Sequence, residues 1–240
     1  DDSGGGAIHM QESGLSVVDC VFESNTAAYA GGAVFVRGPC SPQFTNCVFK
    51  NNGATTIGGG PYGGGAIFQY DGTLTVVNCL FHDNRAGDGG AVWIGEPVAA
   101  SFVNSTFAEN ESTIRMGGAV FNLAASTFTN CIFWGNIRHV PTQTPATLPD
   151  QIRDYWQRST ITFSDVEGGW PGAGNIDSDP QFGVPNPGSN YKIPTGSPCK
   201  NVGSNSSLPL DTWDIDWNGD TTGALPMDLA KGLRIRLSTV

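Results

Sequence analysis

Short apolar runs alternate with Gly, Asp and Asn from Gly5 to Asn136, and the same arrangement recurs five times. The segment "GGAIFQYDGTLTVVNCLFHDN", residues 64–84, contains three runs, "AIFQY", "TLTVV" and "CLFHD", that are too short and too rich in β-branched residues for helices. The GGA tripeptides begin at Gly5, Gly31, Gly64, Gly89 and Gly117, with spacings of 26, 33, 25 and 28 residues. Such a period indicates stacked repeats. Three strands per unit, with no helical pattern between them, predict an all-β fold: a right-handed parallel β-helix (solenoid) of about five to seven coils.

Equivalent positions of the repeats form columns that predict the interior of this helix. A β-branched column suits an inward-facing stack, and it comprises Ile8, Val34, Ile67, Val92 and Val120. A second column is Cys20, Cys47, Cys79, Ser105 and Cys131, and two residues later, on the same strand face, stand Phe22, Phe49, Phe81, Phe107 and Phe133. Three residues further on come Asn25, Asn52, Asn84, Asn110 and Asn136. We expect these asparagines at coil corners, where they tolerate left-handed backbone and hydrogen-bond to neighbouring turns.

If the aliphatic column points inward, the next residue of each repeat points outward. These residues define an aromatic stripe: His9, Phe35, Phe68, Trp93 and Phe121. Two interpretations stay open. The stripe is covered by another part of the chain, or it is an exposed surface for a partner protein or for sugar rings. A β-bulge would reverse the facing of the stripe.

The cysteine column also allows two interpretations. Stacked coils lie roughly 4.8 Å apart, so Cys47 could reach disulfide distance of Cys20 or Cys79. We favour an interior ladder of free thiols that behave as small hydrophobic side chains. Cys40 and Cys199 lie outside the column, and a disulfide between them is a further alternative.

The periodicity divides the chain into two regions. Residues 1–169 carry the β-helix repeats, with an insertion at 141–160 in which "PDQIRDYWQ" is expected to form a helical turn. The run "ITFSDVEGG" at 161–169 then restores a strand. Residues 170–240 are rich in loops and are expected to complete or cap the helix, with Trp170, Phe182 and Tyr191 packing against it. The chain begins inside a repeat, which we interpret as a processed or trimmed form.

Several motifs resemble secreted parallel β-helix proteins of the choice-of-anchor type, which are common in planctomycetes and other environmental bacteria. The resemblance covers nearly the whole chain and is most specific in "NCIFWGN", "NIDSDPQF", "GSPC" and "DIDWNGDTTGALPMDLAKGLRI". The glycine and "FxxN" repeats show a weaker similarity to polymorphic outer-membrane protein passengers. Family members typically end in a "DIGAYE"-like segment, whereas this chain has "RIRLSTV". The resemblance implies a secreted or cell-surface scaffold and does not imply an enzyme.

The motif "DIDWNGD" resembles the first half of a calcium loop, because oxygen ligands alternate around a turn that contains glycine. The candidate ligands of a structural calcium ion are Asp214, Asp216, Asn218, Asp220 and Asp228. The twelfth position, where an EF-hand has Glu, is Leu225. The alternative is an acidic turn whose own Asx side chains cap it by accepting hydrogen bonds from the backbone.

Charge and composition narrow the function further. The net charge is −10, and only 12 Lys and Arg are present, so we expect no nucleic-acid partner. No apolar run is long enough to span a membrane. Arginines do not align in one column, as a polysaccharide lyase would require, and no close carboxylate pair typical of a glycoside hydrolase stands out. We therefore expect no catalytic residues and predict a non-catalytic extracellular structural or adhesive scaffold that self-assembles head-to-tail into a fibre or contacts other surface proteins. The alternative is a β-helix protein that binds or degrades polysaccharide, as a lyase or a glycoside hydrolase.

Overall fold

The computed structural model describes residues 4–55, 63–140, 147–183, 191–211, 214 and 219–224. The chain winds into a right-handed parallel β-helix of six rungs, where one rung is one coil of the chain. This confirms the predicted fold. The strands of successive rungs stack into four sheets, which are parallel except for the last strand pair of the fourth, and they are called I to IV here in the order in which the chain visits them.

The sheets hold nearly all the regular structure of the described residues. Sheet I consists of β1 (Ile8–Met10), β5 (Val34–Val36), β9 (Ile67–Gln69), β13 (Val92–Ile94), β17 (Val120–Asn122) and β22 (Ile152–Asp154). Sheet II consists of β2 (Gly14–Val18), β6 (Ser41–Thr45), β10 (Thr73–Val77), β14 (Ala99–Val103), β18 (Thr127–Thr129) and β23 (Thr160–Thr162). Sheet III consists of β3 (Val21–Glu23), β7 (Val48–Lys50), β11 (Leu80–His82), β15 (Thr106–Ala108), β19 (Ile132–Trp134) and β24 (Asp165–Val166). Sheet IV consists of β4 (Thr26–Ala27), β8 (Gly53–Ala54), β12 (Arg85–Ala86), β16 (Glu111–Ser112), β20 (Ile137–His139) and β21 (Thr147–Pro149). A short 3₁₀ helix spans Asn205–Ser207.

Two details differ from the sequence-based prediction. Each coil has four strands rather than three, because a strand of two or three residues follows each asparagine corner. The segment expected to form a helical turn contains strand β22, whose Ile152 pairs with Val120 and continues the aliphatic column inward. The sixth rung therefore starts inside the predicted insertion. Strand β21, also within it, pairs antiparallel with β20.

The predicted columns build the core. The aliphatic column and the phenylalanine column both belong to one continuous cluster of apolar side chains. Successive rings of the phenylalanine column stack 4.7 Å apart with interplanar angles of 2° to 5°. This spacing matches the separation between neighbouring strands of a sheet. Each ring therefore fills the space above the one in the next rung.

The cysteines are all free thiols. Cys47, Cys79 and Cys131 are buried in the core as the ladder interpretation predicts, whereas Cys20, in the first described rung, is exposed. The Cys40 thiol contacts the carbonyl of Arg37, and the Cys199 thiol lies 2.8 Å from Asp165 Oδ2. The alternative disulfide between Cys40 and Cys199 is therefore absent.

The asparagine column forms a buried ladder that joins the rungs. Each Nδ2 donates to the Oδ1 of the next asparagine at 2.8 to 3.0 Å, from Asn25 to Asn136. The ladder ends at Gln151, whose Oε1 accepts a bond of 2.6 Å from Asn136. The residue with left-handed backbone conformation (positive φ) lies one position before the asparagine, rather than at it as predicted. These residues are Ser24, Asn51, Asp83, Glu109 and Gly135. A second left-handed corner, with φ between 53° and 57°, was not predicted; it precedes the cysteine column at Asp19, Asn46, Asn78, Asn104 and Asn130.

The described part of the C-terminal region covers the lower end and one side of the helix. Trp170 packs against the main core, and Ile176 pairs with Asp165 below the sixth rung. The chain then returns along sheet III, where the Tyr191 hydroxyl donates to Glu109 at 3.0 Å. Further on, Ser204 N–H donates to the Asn130 side chain at 2.7 Å. Described parts of the C-terminal region thus contact the helix, and the cap formed by residues 170–240 as a whole stays a prediction.

Candidate functional site

The aromatic stripe lies on the outer side of sheet I, yet most of it is covered. Phe35, Phe68 and Trp93 are only 2%, 1% and 6% exposed, and they form a cluster separate from the main core. Phe121 is half-buried and His9 is exposed. The rings stack on one another, for example Phe68 and Trp93 at 4.4 Å. As a partner or glycan surface, the stripe stays a prediction, and only His9 and Phe121 offer exposed area for it.

Small residues of the turns that precede sheet I seal the stripe. A Cβ added to Gly4 would lie 2.4 Å from the Phe35 ring, and one added to Gly63 would lie 2.2 Å from Trp93. Ala30, at the equivalent place in the second rung, packs in the same cluster. The backbone of these turns therefore rests directly on the aromatic rings, which a larger side chain would displace.

The seal ends at the fifth and sixth rungs, where a groove of about 500 Å³ opens. The turn position held by Gly63 becomes Asp88 in the fourth rung and Met116 in the fifth. In the stripe itself, the register places Arg153 next to Phe121, where the earlier rungs have aromatic rings. We call this site the arginine groove, and its polar and aromatic lining is Arg115, Arg138, His139, Arg153, Phe121 and Tyr155.

Three parts of the chain bring the arginines together. Arg115 lies in the turn after β16, Arg138 lies on β20 and Arg153 lies on β22. The guanidinium of Arg153 sits 5.5 Å from the centre of the Tyr155 ring, a cation–π distance. The Arg153 Nε is buried and has no hydrogen-bond partner in the described part of the chain. Tyr155 itself is 50% exposed.

Two carboxylates lie behind the other arginines. Arg115 Nη1 is 3.5 Å from Asp88 Oδ2, and Arg138 Nε is 3.9 Å from Asp150 Oδ2. The Asp88 and Asp150 side chains are 2% and 18% exposed, while Arg115 is 58% exposed. Burial raises the pKa of Asp88 to about 6 against the opposing effect of Arg115, and burial also raises the pKa of Asp150. The negative charge is therefore beneath the surface, and the positive charge faces the groove.

The repeat pattern of the sequence does not predict this groove. Arg153 lies in the segment that is expected to form a helical turn, and the arginines of the chain do not align in one column of the repeat. The available signal was the match of "QIRD" with "AVFN" of the preceding repeat, since the Gln151 carbonyl accepts the backbone N–H bonds of Ala119 and Val120, and Ile152 pairs with Val120. The loss of the GGA signature in this rung concealed that match.

The predicted calcium loop is described only at two of its ligands. Both Asp214 carboxylate oxygens accept a bond from Gly219 N–H at 3.1 Å, and Asp220 Oδ1 accepts bonds from the Thr222 N–H and hydroxyl. Asp216, Asn218 and Asp228 lie outside the described residues. The contacts of Asp214 and Asp220 match the Asx-turn alternative, and the described residues contain no cluster of three metal-binding side chains. Calcium binding stays a prediction.

A second polar cluster lies on sheet III. His82 Nδ1 is 2.8 Å from Asp83 Oδ2, and the Tyr191 ring lies 4.9 Å from the His82 ring while its hydroxyl bonds to Glu109. Burial and the nearby carboxylates raise the pKa of Tyr191, so its hydroxyl stays protonated and donates. The Tyr191 side chain of the returning C-terminal segment thus contacts both His82 and Glu109 on the outer face of sheet III.

Comparisons with known proteins agree with this architecture. The model of the family described as "Right handed beta helix region" matches residues 1–165. The chain belongs to the right-handed β-helix family. It is also 30% identical over 132 residues to the metabotropic glutamate receptor-like protein R of Dictyostelium discoideum. That match covers 55% of this chain and 8% of the receptor-like protein, so the β-helix corresponds to a small part of the relative. No solved structure matches this β-helix chain.

A search of the described residues for a helix long and apolar enough to cross a membrane finds none.

Proposed function

We propose that this β-helix is an extracellular, non-catalytic scaffold that holds a surface in fixed geometry. The observation that carries the proposal is the asparagine ladder, which runs without a gap from Asn25 to Gln151. Buried side-chain bonds that link every rung to the next resist bending and local opening. Membership of the β-helix family supports an extracellular location, since such proteins are often secreted or displayed on surfaces.

The non-catalytic part of the proposal is tested with a panel of polysaccharides. Purified chain is incubated with neutral and acidic polysaccharides, and new reducing ends and unsaturated uronates are measured. We expect no product above that formed by heat-unfolded protein. An amount of product that increases with the concentration of the protein, and that requires the folded chain, would contradict the proposal.

The scaffold part is tested by hydrogen exchange followed by mass spectrometry. Amides in the strands of the second to fifth rungs should exchange together and slowly, because each rung is bonded on both sides. If the amides of these strands exchanged as fast as those of exposed loops, the helix would not be rigid.

The self-assembly hypothesis concerns the two ends of the helix. Segment 170–178 covers the lower edge of the helix near β24, where Ile176 pairs with Asp165. Head-to-tail contact would therefore have to displace this cover. Sedimentation over a hundredfold range of concentration tests the hypothesis: a constant monomer mass would exclude fibres, and filaments in electron micrographs would support them.

A further inference from the structure

We propose that the arginine groove binds an acidic oligosaccharide, whose carboxylate or sulfate groups pair with the arginines while its sugar rings pack on the aromatic side chains. This inference goes beyond the scaffold role, because a rigid scaffold needs no ligand.

Charge distribution is the first argument. The chain has a net charge of −10 and only 12 Lys and Arg, yet three arginines line this one groove. At physiological salt, charges act over roughly 8 Å. A ligand in the groove therefore responds mainly to the three arginines and to the two carboxylates behind them, Asp88 and Asp150, and this local balance is positive although the whole protein is acidic. Arg, with its planar fork of donors, is suited to carboxylate and sulfate groups.

The state of the arginines is the second argument. In the described structure Arg153 contacts the Tyr155 ring and has no acceptor at its Nε. Arg138 reaches Asp150 only at 3.9 Å, longer than a charge-assisted hydrogen bond. Polar groups at a buried site normally have partners. A bound anion would supply the acceptors that the protein itself does not provide here.

The aromatic side chains favour a sugar over an acidic peptide. Phe121 and Tyr155 lie in the same groove as the arginines, so the site offers apolar ring surface beside positive charge. An acidic peptide would need only the charge, whereas the flat faces of a uronate or sulfated sugar use both. The volume of about 500 Å³ lies within the range of sites for small ligands and is too small to hold a folded domain.

The test is isothermal titration calorimetry with four probes: an oligogalacturonate, its methyl ester, a sulfated oligosaccharide and an oligoglutamate peptide. The variants are Arg115→Ala and Arg138→Ala. The matched control is Arg85→Ala, which removes the same charge from an exposed position on β12 that pairs with Glu111 outside the groove. Tyr155→Ala tests the aromatic contribution. Circular dichroism establishes that every variant is folded.

We expect one or both acidic oligosaccharides to bind and the methyl ester to bind much more weakly. Each groove variant should weaken binding by about tenfold or more, the loss of one charged hydrogen bond, and Arg85→Ala by less than about twofold. Comparison of the affinities for the oligogalacturonate and for the sulfated oligosaccharide shows whether carboxylate or sulfate groups are preferred. No binding of either acidic oligosaccharide, or equal losses in Arg85→Ala and the groove variants, would overturn the proposal. Equal binding of the peptide with no effect of Tyr155→Ala would also overturn it, because the site would then recognise charge alone.

Discussion

Replacing one interior asparagine tests how much the ladder stabilises the helix. Asn84 Oδ1 accepts two bonds from Asn52, and its Nδ2 donates to Phe49 O and to Asn110 Oδ1, all at 2.9 to 3.0 Å. Asn84→Ala removes all four bonds and leaves the buried backbone N–H of Asn52 without its acceptor. At about 1 kcal/mol per bond, with more for an orphaned buried group, the loss in unfolding free energy should be roughly 3–6 kcal/mol.

Asn25 provides the matched control. Its Nδ2 donates one bond, of 2.9 Å, to Asn52, and it lies in the first described rung. Asn25→Ala removes the same side-chain atoms but, among the described residues, only this side-chain bond, so it should cost about 1 kcal/mol. Asn110→Ala, which breaks the same set of contacts as Asn84→Ala, should match the larger value.

The assay is equilibrium unfolding in urea, followed by circular dichroism and by tryptophan fluorescence. Agreement of the two signals shows that the rungs unfold together, which repeat proteins do not always do. The m-value should stay unchanged if the variants alter stability alone. Equal losses for Asn25→Ala and Asn84→Ala would refute the reasoning, because the ladder would then contribute no more inside the helix than at its end.

Three other predictions concern single side chains. Burial raises the pKa of Asp88 from 3.8 to about 6, so the folded state binds the proton more tightly than the unfolded state and loses stability as the pH rises from about 4 through 6. Asp88→Asn should therefore increase the free energy of unfolding, measured in urea, by roughly 1–3 kcal/mol at pH 8 and by almost nothing at pH 4. An increase that is the same at both pH values would contradict this. Iodoacetamide should label exposed Cys20 in the native protein but buried Cys79 only after unfolding, since burial raises the pKa of the Cys79 thiol well above its usual value. Mass spectrometry of the labelled peptides measures both rates, and labelling of Cys79 in the native protein at the rate of Cys20 would contradict its place in the core. If the acidic loop binds calcium, a saturating excess should stabilise the chain by about 2–3 kcal/mol, and Asp214→Asn with Asp220→Asn should abolish the shift in thermal unfolding; no shift in the unaltered protein would leave the Asx-turn interpretation.

The columns were predictable because each rung repeats the same physical requirement. A side chain that fits over its copy 4.7 Å away must be flat, branched or able to bond to itself, and the sequence repeats Phe, Ile or Val, and Asn at those places. Such requirements produce a periodic pattern of residue types that can be recognised from the sequence without the structure. The fold class and the core therefore followed from the spacing of a few residue types.

The short strands and the coil corners produce a weaker pattern in the sequence. Strands such as Arg85–Ala86 have only two residues, too few to show an alternation of apolar and polar positions. The left-handed residue before each ladder asparagine is Ser, Asn, Asp, Glu or Gly, so no single residue type marks it. Tertiary contacts between rungs, rather than local preference, fix this backbone conformation.

The candidate site arises where the repeat changes, which is also why the repeat pattern could not reveal it. In the first to third rungs, Gly4, Ala30 and Gly63 are small enough for the turns to close over the aromatic stripe. In the fifth rung Met116 stands at this turn position, and in the sixth Arg153 takes the place of a ring. A groove with exposed charge opens because these two residues break the close packing of turn on ring. The regular rungs thus specify a rigid support, and the departures from regularity specify what that support presents to a ligand.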